Sequence, residues 1–227
     1  MEDAERLERL GDLLNQVLSR VATMGPKDTE QEEADKKETE EDKRLAILQG
    51  LCSSALSLGF AIRVLGEHEF YREPLILVRS LFEVTCEISL LWYQPELATQ
   101  FDNQLAKLDG VLKSRMPYSG GSWYPHGVPG MVRALEKHEE GWRWLRGRVY
   151  VVASSFVHGD ALAALGTDED TRVALIAEAY ECAIVLLLLM ARVPDELWCG
   201  REHRSSLVEL RESYVGLCPP SREFPFH

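Results

Sequence analysis

The sequence predicts an all-α fold built as a helical bundle. Apolar residues recur at helical spacing through most of the chain, and no stretch shows the two-residue alternation between hairpin turns that is typical of a sheet. A chain of 227 residues is also long enough to bury a full hydrophobic core without disulfide or metal support. One domain with helical additions is the simplest organisation.

The first 24 residues predict an extra N-terminal helix. Its apolar residues follow three- and four-residue steps along one side, at Leu7, Leu10, Leu14, Val17 and Val21. We expect this side to dock on the body of the protein or on a second subunit. Residues 25–44 are dominated by Glu, Asp and Lys, which predicts an acidic linker or a solvated helix start, with a partner-binding acidic patch as the alternative.

Residues 45–192 predict the bundle itself. We expect its helices at about 45–66, 74–93, 96–114, 131–138, 142–158 and 168–192. The expected core includes Leu81, Phe82, Ile88, Phe156, Ile184 and Leu187. A stretch rich in glycine and proline at 117–130 predicts an irregular excursion of the kind that often lines or covers a site. Val193 and Pro194 are expected to break the last long helix and to begin a C-terminal extension, residues 193–227.

Composition and patterning bear on location and partners. There are 25 Lys and Arg against 37 Asp and Glu, so the net charge of -12 disfavours long electrostatic tracking along nucleic acid but permits a local basic site. The five scattered cysteines favour free thiols in a reducing cytoplasm. The acidic N-terminus lacks the order of a signal peptide, and the apolar run 182–191 is too short to span a bilayer. We therefore expect a cytoplasmic protein that does not enter a membrane.

The first polar motif lies on the helix that Pro74 begins and reads Arg-Ser-Leu-Phe-Glu, residues 79–83. Arg79 and Glu83 are one turn apart and can pair. They share a stripe with Arg72, Cys86 and Leu90, opposite a broad apolar surface. A solvated face with a surface ion pair is one interpretation. The other is a covered seam where a second helix approaches, which the continuation into Cys86 and Leu90 favours.

The second polar motif ends the 142–158 helix and reads Ser-Ser-Phe-Val-His-Gly, residues 154–159. His158 shares one side of this helix with Ser154 and Ser155, and Tyr150 flanks that side. One interpretation is a helix C-terminal cap. A second is an imidazole in a polar cleft. A Ser-His nucleophilic pair oriented by Asp160 is disfavoured because the sequence has no nucleophile elbow.

Signatures of cofactor or metal chemistry are absent from the sequence. It contains no Walker loop, no dinucleotide-binding glycine pattern, and no HExxH, ExxH or CxxC spacing, so no cofactor and no metal are expected. The pairs His68-Glu69 and His138-Glu139 are expected at the surface or at loop edges.

The two motifs in order carry a family resemblance. Arg-Ser-x-x-Glu at 79–83, then Leu-Trp-Tyr at 91–93, then Tyr-x-x-x-Ser-Ser-x-x-His-Gly at 150–159 resembles bacterial HEPN-like domains of unknown function, over residues 45–192. The resemblance implies an all-α bundle that is often dimeric, from a superfamily rich in metal-independent ribonucleases, toxin components and phage-defence proteins. It therefore implies a homodimer, an RNA or nucleotide ligand and an antitoxin-like protein partner.

The superfamily's ribonuclease motif, however, is broken in this chain. It places an arginine before the histidine with four to six residues between them, and here Val151, Val152 and Ala153 occupy those positions. Arg148 is ten residues from His158, about 15 Å along a helix. If cleavage chemistry survives, Arg79 or Arg72 must supply the cation while His158 handles the proton.

Three functions stay open at this point. The first is a polar pocket of Arg79, Glu83, Ser155 and His158 that binds a nucleotide, RNA or a small polar ligand in a toxin, defence or regulatory context. The second is a metal-independent ribonuclease in which His158 and Arg79 act with Glu83 and Ser155. The third is a purely structural or dimerisation module.

Overall fold

The computed structural model describes residues 3–24, 39–114, 122–158, 168–199 and 204–218. Within these ranges the chain is helical and has no strand, which confirms the all-α prediction. The helices are α1 (Asp3–Ala22), α2 (Glu40–Glu67), α3 (Glu73–Tyr93), α4 (Ala98–Ser114), α5 (Gly127–Leu135), α6 (Trp142–Leu145), α7 (Val152–His158), α8 (Glu169–Pro194) and α9 (Arg204–Leu217). A 3-10 turn at Pro95–Leu97 precedes α4, and π-helical segments follow α6 at Arg146–Val151 and α8 at Asp195–Cys199.

The apolar helix α8 is the centre of the bundle. Its residues from Ile176 to Ala191 are buried except Glu178, and α1, α2 and α3 all pack against it. The residues expected in the core, from Leu81 to Leu187, are all buried. The apolar run 182–191 is therefore a buried core segment, as expected.

The N-terminal helix docks on the body of the same chain. Leu10, Leu14 and Val17 are fully buried, and α1 packs against α8, α2 and α9. The leucine side of α1 is thus covered within one protomer. A homodimer, which stays a proposal, would need another surface.

Several helix boundaries differ from the sequence-based expectation. α5 occupies Gly127–Leu135 rather than 131–138, so residues 127–130, which were expected in the irregular excursion, are helical. α2 begins at Glu40 because Thr39 caps it, its hydroxyl accepting from the Asp42 N–H at 3.1 Å while the Asp42 carboxylate accepts from the Thr39 N–H at 2.9 Å. Residues 40–44 are therefore helical, and residues 25–38 lie outside the described ranges. The predicted break at Val193 and Pro194 is wrong. Both residues are buried, and their packing outweighs the one hydrogen bond that proline removes.

The outer face of α2 is unusually poor in charged residues for an exposed helix. By length and composition alone, α2 and the stretch Glu169–Cys199 could each cross a membrane, which is weak evidence. In each helix we consider the apolar 18-residue segment that could cross a membrane. This segment is 78% buried in Glu169–Cys199 but only 28% buried in α2. No charged residue lies between Arg44 and Arg63. The exposed residues on this α2 face are Ala46, Gln49, Gly50, Ser53, Ser54, Ser57, Phe60 and Val64.

Two glycines of α2 test how closely this helix packs on α8. A Cβ on Gly66 would overlap the hydroxyl and ring of Tyr180, whereas a Cβ on the exposed Gly50 would meet no atom of the structure within 4 Å. We expect Gly66→Ala to lower the free energy of unfolding by about 1–3 kcal/mol through overpacking. Gly50→Ala should raise it by about 0.5–1 kcal/mol through helix propensity. Urea unfolding of both variants measures this difference, and equal stabilities would contradict the close contact of α2 with Tyr180.

Candidate functional site

The candidate site follows one line of polar residues along α3. Arg79, Glu83 and Glu87 are spaced four residues apart and so lie on one side of the helix. The Arg79 Nε donates to the Glu83 Oε1 at 3.2 Å, so the pair expected from the spacing is formed. The two side chains are 26% and 37% exposed, respectively. Cys86 and Leu90, on the same stripe, are fully buried. The stripe is therefore covered at its Cys86 and Leu90 end and half-exposed at its Arg79 end, and we refer to the half-exposed surface of Arg79 and Tyr150 as the cleft.

The first motif meets the second motif at Tyr150. The Arg79 guanidinium carbon lies 5.2 Å from the centre of the Tyr150 ring, and the Phe82 ring centre lies 5.5 Å from the same ring. Tyr150 can reach α3 because it belongs to the π-helical segment Arg146–Val151, which packs on α3 together with α7. A cation over an aromatic face contributes about 0.5–1 kcal/mol at a half-exposed site.

The guanidinium of Arg79 is held from two directions. Glu83 binds its Nε, and the Tyr150 ring lies against its plane. No described residue accepts a hydrogen bond from its two Nη atoms. These atoms form a two-pronged donor of the kind that matches a carboxylate or a phosphate.

The two serines of the second motif differ in their hydrogen bonding. Ser155 is buried, and its hydroxyl donates to the Val152 carbonyl of the same helix at 2.7 Å. The Ser154 Oγ is also buried, and it has no hydrogen-bond partner among the described residues. The Ser155 hydroxyl is therefore satisfied within its own helix, whereas the buried Ser154 hydroxyl is not satisfied by any described residue.

His158 is the last residue of α7. Its side chain lies outside the described part of the chain, as do residues 159–167 with Asp160. The expected contact of His158 and Ser155 with Arg79 and Glu83 stays a prediction. The described contacts of the first motif in this region are those of Arg79 and Phe82 with Tyr150, which flanks the second motif.

The sequence did not single out Glu87, which is the buried end of the polar line. The Trp123 Nε1 donates to the Glu87 Oε1 at 2.8 Å. Burial raises the pKa of Glu87 to about 7, and the Glu83 charge adds to the increase while the Trp123 hydrogen bond opposes it. A carboxyl that titrates near neutral pH can give or take a proton under physiological conditions. Glu87 could have been found by continuing the four-residue spacing from Glu83.

Trp123 brings the glycine- and proline-rich excursion onto α3. Its carbonyl accepts from the Gln100 Nε2 at 2.6 Å, and the Phe101 ring lies edge-on to its indole at 4.9 Å. The described part of the excursion, from residue 122 onwards, therefore packs against the Glu87 end of the polar line. Residues 115–121 lie outside the described ranges.

Arg148 is committed to a second polar cluster and cannot replace the missing motif arginine. It binds Glu178 on α8, and its Nη2 lies 3.9 Å from the Glu181 carboxylate. Arg6 of α1 also binds Glu181, which is only 3% exposed. This cluster ties α1 and the 142–158 segment to α8. Arg72, the other candidate cation, lies over the ring of Tyr71 at 5.4 Å.

The pair His138-Glu139 lies in the turn after α5, as expected for a loop edge, but it also connects two helix ends. The Glu139 carboxylate accepts from Arg192 at 2.6 Å and from the Tyr93 hydroxyl at 3.2 Å. His138 stacks on Tyr93 at 4.8 Å. These contacts join the C-terminal ends of α3 and α8. His68, in contrast, is exposed at the end of α2.

Comparisons of the chain with protein-family models, with curated proteins and with solved structures gave no match. The HEPN-like resemblance therefore rests on the residues of the two motifs. Among the residues that the structure describes, no group of three or more His, Cys, Asp or Glu side chains is placed to hold a metal ion.

The raised pKa of Glu87 predicts a pH dependence of stability. Between about pH 4.5 and 7 the unfolded chain ionises this carboxyl while the folded chain keeps its proton, so stability falls as the pH rises through this window. Glu87→Gln cannot ionise and still accepts from Trp123. We expect it to match the wild type at pH 4.5 and to exceed it by about 1–3 kcal/mol at pH 8.

Urea unfolding at both pH values measures this effect. The exposed Glu96 is the matched control, and Glu96→Gln should change stability little at either pH. A loss of stability in Glu87→Gln that is equal at both pH values would show that the Glu87 carboxyl is not held protonated.

Proposed function

We propose that this protein binds a phosphate-bearing ligand, a nucleotide or an RNA strand, at the cleft where Arg79 lies over Tyr150. It does so as a HEPN-like bundle in a toxin, defence or regulatory context in the cytoplasm, with an antitoxin-like protein as a further partner. The observation that carries the proposal is the Arg79 guanidinium, which is oriented by Glu83 and Tyr150 while its Nη atoms point to no described partner.

An arginine held in this way is suited to phosphate. A free arginine must lose side-chain entropy when it binds a ligand, whereas Arg79 is already ordered by an ion pair and a ring contact. Its two Nη atoms can each donate to one phosphate oxygen, which gives direction as well as charge. A lysine at this position would offer neither the planar fork nor the stacking on Tyr150.

Ser154 is a second donor that we assign to the same site. It follows Tyr150 by one turn, and its buried hydroxyl has no described partner. His158 follows Ser154 by one further turn, so the imidazole is expected on the same side of the helix. A ligand phosphate at Arg79 could then be approached by a hydroxyl and an imidazole from α7.

The net charge of the protein bears on how it would recognise a phosphate-bearing ligand. The net charge of -12 gives little long-range attraction for a polyanion, and Glu83 offsets the charge of Arg79 locally. Recognition therefore depends on short-range, oriented hydrogen bonds at the cleft. We expect affinity to depend strongly on the arginine geometry and only moderately on salt for a ligand with one phosphate.

Substitution of Arg79 tests the proposal directly. Adenosine monophosphate and a 12-nucleotide single-stranded RNA are the probes, and binding is measured by calorimetry in EDTA. Arg79→Ala should weaken binding of both by about 10- to 100-fold, the loss of a charge-assisted hydrogen bond. Arg79→Lys should be intermediate. Arg143→Ala, at an exposed arginine, removes the same charge and should bind as the wild type does.

Absence of binding by the wild-type protein, or equal binding by Arg79→Ala and Arg143→Ala, would contradict the proposal. Unmodified RNA in EDTA tests the ribonuclease alternative in the same samples. Cleavage by the wild type that is lost in His158→Ala, with an unchanged circular dichroism spectrum, would assign His158 and Arg79 to catalysis. Binding without cleavage would leave a sensor or regulatory function.

We infer a second property, self-association, from the exposed face of α2. Eighteen residues between Arg44 and Arg63 carry no charge, and at 1.5 Å per residue they extend over about 27 Å. The small residues along this face allow a second helix to approach closely, and Phe60 and Val64 offer apolar contact at one end. A second copy of the same face, antiparallel across a two-fold axis, would cover both and oppose the two helix dipoles.

Light scattering at micromolar concentration tests this homodimer. Ser57 and Ser213 are both exposed helix residues whose hydroxyls donate to the carbonyl four residues earlier. Ser57→Arg places a charge in the α2 face and should give a monomer, whereas Ser213→Arg on α9 should remain dimeric. A monomeric wild type, or one that sediments with phospholipid vesicles instead, would contradict a dimer through α2.

A further inference from the structure

A small polar cavity lies between the C-terminal ends of α3 and α8. It is bordered by Ser89 and Tyr93 of α3, Arg192 of α8, Glu139 and Glu196. The cavity volume is about 20 Å³, and roughly 10–15 Å³ is enough for one water molecule. The Arg192 side chain is 42% exposed and Glu196 is exposed, so the cavity has an open side. A group of the size of water can therefore enter it from solvent.

The hydroxyl of Ser89 is the unsatisfied polar group at this cavity. Ser89 is only 5% exposed, and its hydroxyl forms no hydrogen bond with any residue that the structure describes. The equally buried hydroxyl of Thr85, one turn earlier on α3, does have a partner, since it donates to the Leu81 carbonyl at 2.8 Å. A buried hydroxyl without a partner is unfavourable. A small molecule that binds Ser89 from the cavity would therefore stabilise the folded protein.

The charges that border the cavity favour a cation. The Glu139 carboxylate accepts from Arg192 at 2.6 Å and from the Tyr93 hydroxyl at 3.2 Å, so Arg192 is neutralised. Glu196 forms no ion pair within the described ranges, which leaves one negative charge at the open side. The last turn of α3 carries no basic residue, although the C-terminal end of a helix dipole attracts positive charge.

An ammonium group matches the cavity in size, charge and hydrogen bonding. It is close in size to a water molecule and carries one positive charge, and each of its N–H bonds donates to one acceptor. The Ser89 hydroxyl, the Tyr93 hydroxyl and the Glu196 carboxylate all have lone pairs that can accept. Hard metal cations, in contrast, take about six to eight oxygen ligands, which is more than these side chains provide.

We propose that this cavity binds an ammonium group, either of the free ammonium ion or at the end of a primary amine whose carbon chain leaves through the open side. The bound group connects the end of α3 with the π-helical segment Asp195–Cys199, because it contacts both Ser89 and Glu196. The site is independent of the proposed phosphate ligand. Ser89 follows Arg79 by ten residues, about 15 Å along α3.

Thermal unfolding in three chloride salts at equal ionic strength tests this site. The cations are ammonium, methylammonium and tetramethylammonium, of which the last has the same charge but no N–H bond and is too large for the cavity. We expect the melting temperature to rise saturably with ammonium, by about 3–6 °C over tetramethylammonium at a tenfold excess over the dissociation constant. A similar rise with methylammonium would identify primary amines as ligands, whereas a rise with ammonium alone would identify the free ion.

Two variants assign the effect to the cavity. Ser89→Ala and Glu196→Gln should each remove most of the rise that ammonium causes. Ser89→Ala loses no described hydrogen bond and should melt close to the wild type in tetramethylammonium, while Glu196→Gln changes an exposed residue and preserves the fold. Ser213→Ala and Glu212→Gln, at exposed positions of α9, are the matched controls and should keep the rise.

Three outcomes would overturn the proposal. They are the absence of a saturable rise with ammonium, an equal rise with potassium, which has no N–H bonds, and a rise that Ser89→Ala retains in full. Each would leave water as the occupant of the cavity. Arg79→Ala should lose phosphate binding and keep the response to ammonium, so the two proposals stand or fall separately.

Discussion

The burial of α8 is the constraint on which the rest of the structure depends. Its sequence is apolar around almost its whole circumference, so other helices must cover it on every side. α1, α2 and α3 do so, and α3 becomes a buried helix in turn. Few positions of α3 are then left for polar groups. This is why Arg79, Glu83 and Glu87 form one line at the edge of the core rather than a broad solvated face.

The line of Arg79, Glu83 and Glu87 becomes more covered along α3, and this explains why its two ends differ in their charge properties. At Arg79 the line is open enough for a guanidinium to keep donors uncommitted, while at Glu87 the cover of Trp123 and neighbouring apolar residues makes a charge costly. About two turns of helix thus separate Arg79, a permanent cation, from Glu87, a carboxyl that titrates near neutral pH. This difference between the two ends of the line depends on packing. On an exposed helix, water would solvate all three side chains, and burial would not raise the pKa of Glu87.

Helical periodicity was sufficient to predict the fold class, the core and the approximate helices, because a stripe of buried side chains leaves a regular pattern in the sequence. Periodicity does not predict features that depend on contacts between residues distant in the sequence. The pairing of Trp123 with Glu87 joins residues 36 positions apart and leaves no local pattern. The π-helical segment Arg146–Val151 carries Tyr150, which lies beside Arg79. The chain also passes the buried Pro194 without a break, from α8 into the π-helical segment Asp195–Cys199. The acidic residues around Thr39 were compatible with a linker or with a solvated helix start, and the capping box at Thr39 shows that residues 40–44 are the start of α2.

The pairing of Arg6 with the buried Glu181 has a consequence for what counts as the minimal folding unit. The resemblance to HEPN-like domains begins after α1, yet α1 supplies both the leucines that cover one flank of α8 and the cation that neutralises a carboxylate inside the bundle. A chain without α1 would have an apolar flank exposed to water, and Glu181 would lose one of its two arginines. α1 lies outside the residues that carry the resemblance, yet it is part of the hydrophobic core. A similar bundle without α1 would have to cover this side of α8 with other residues.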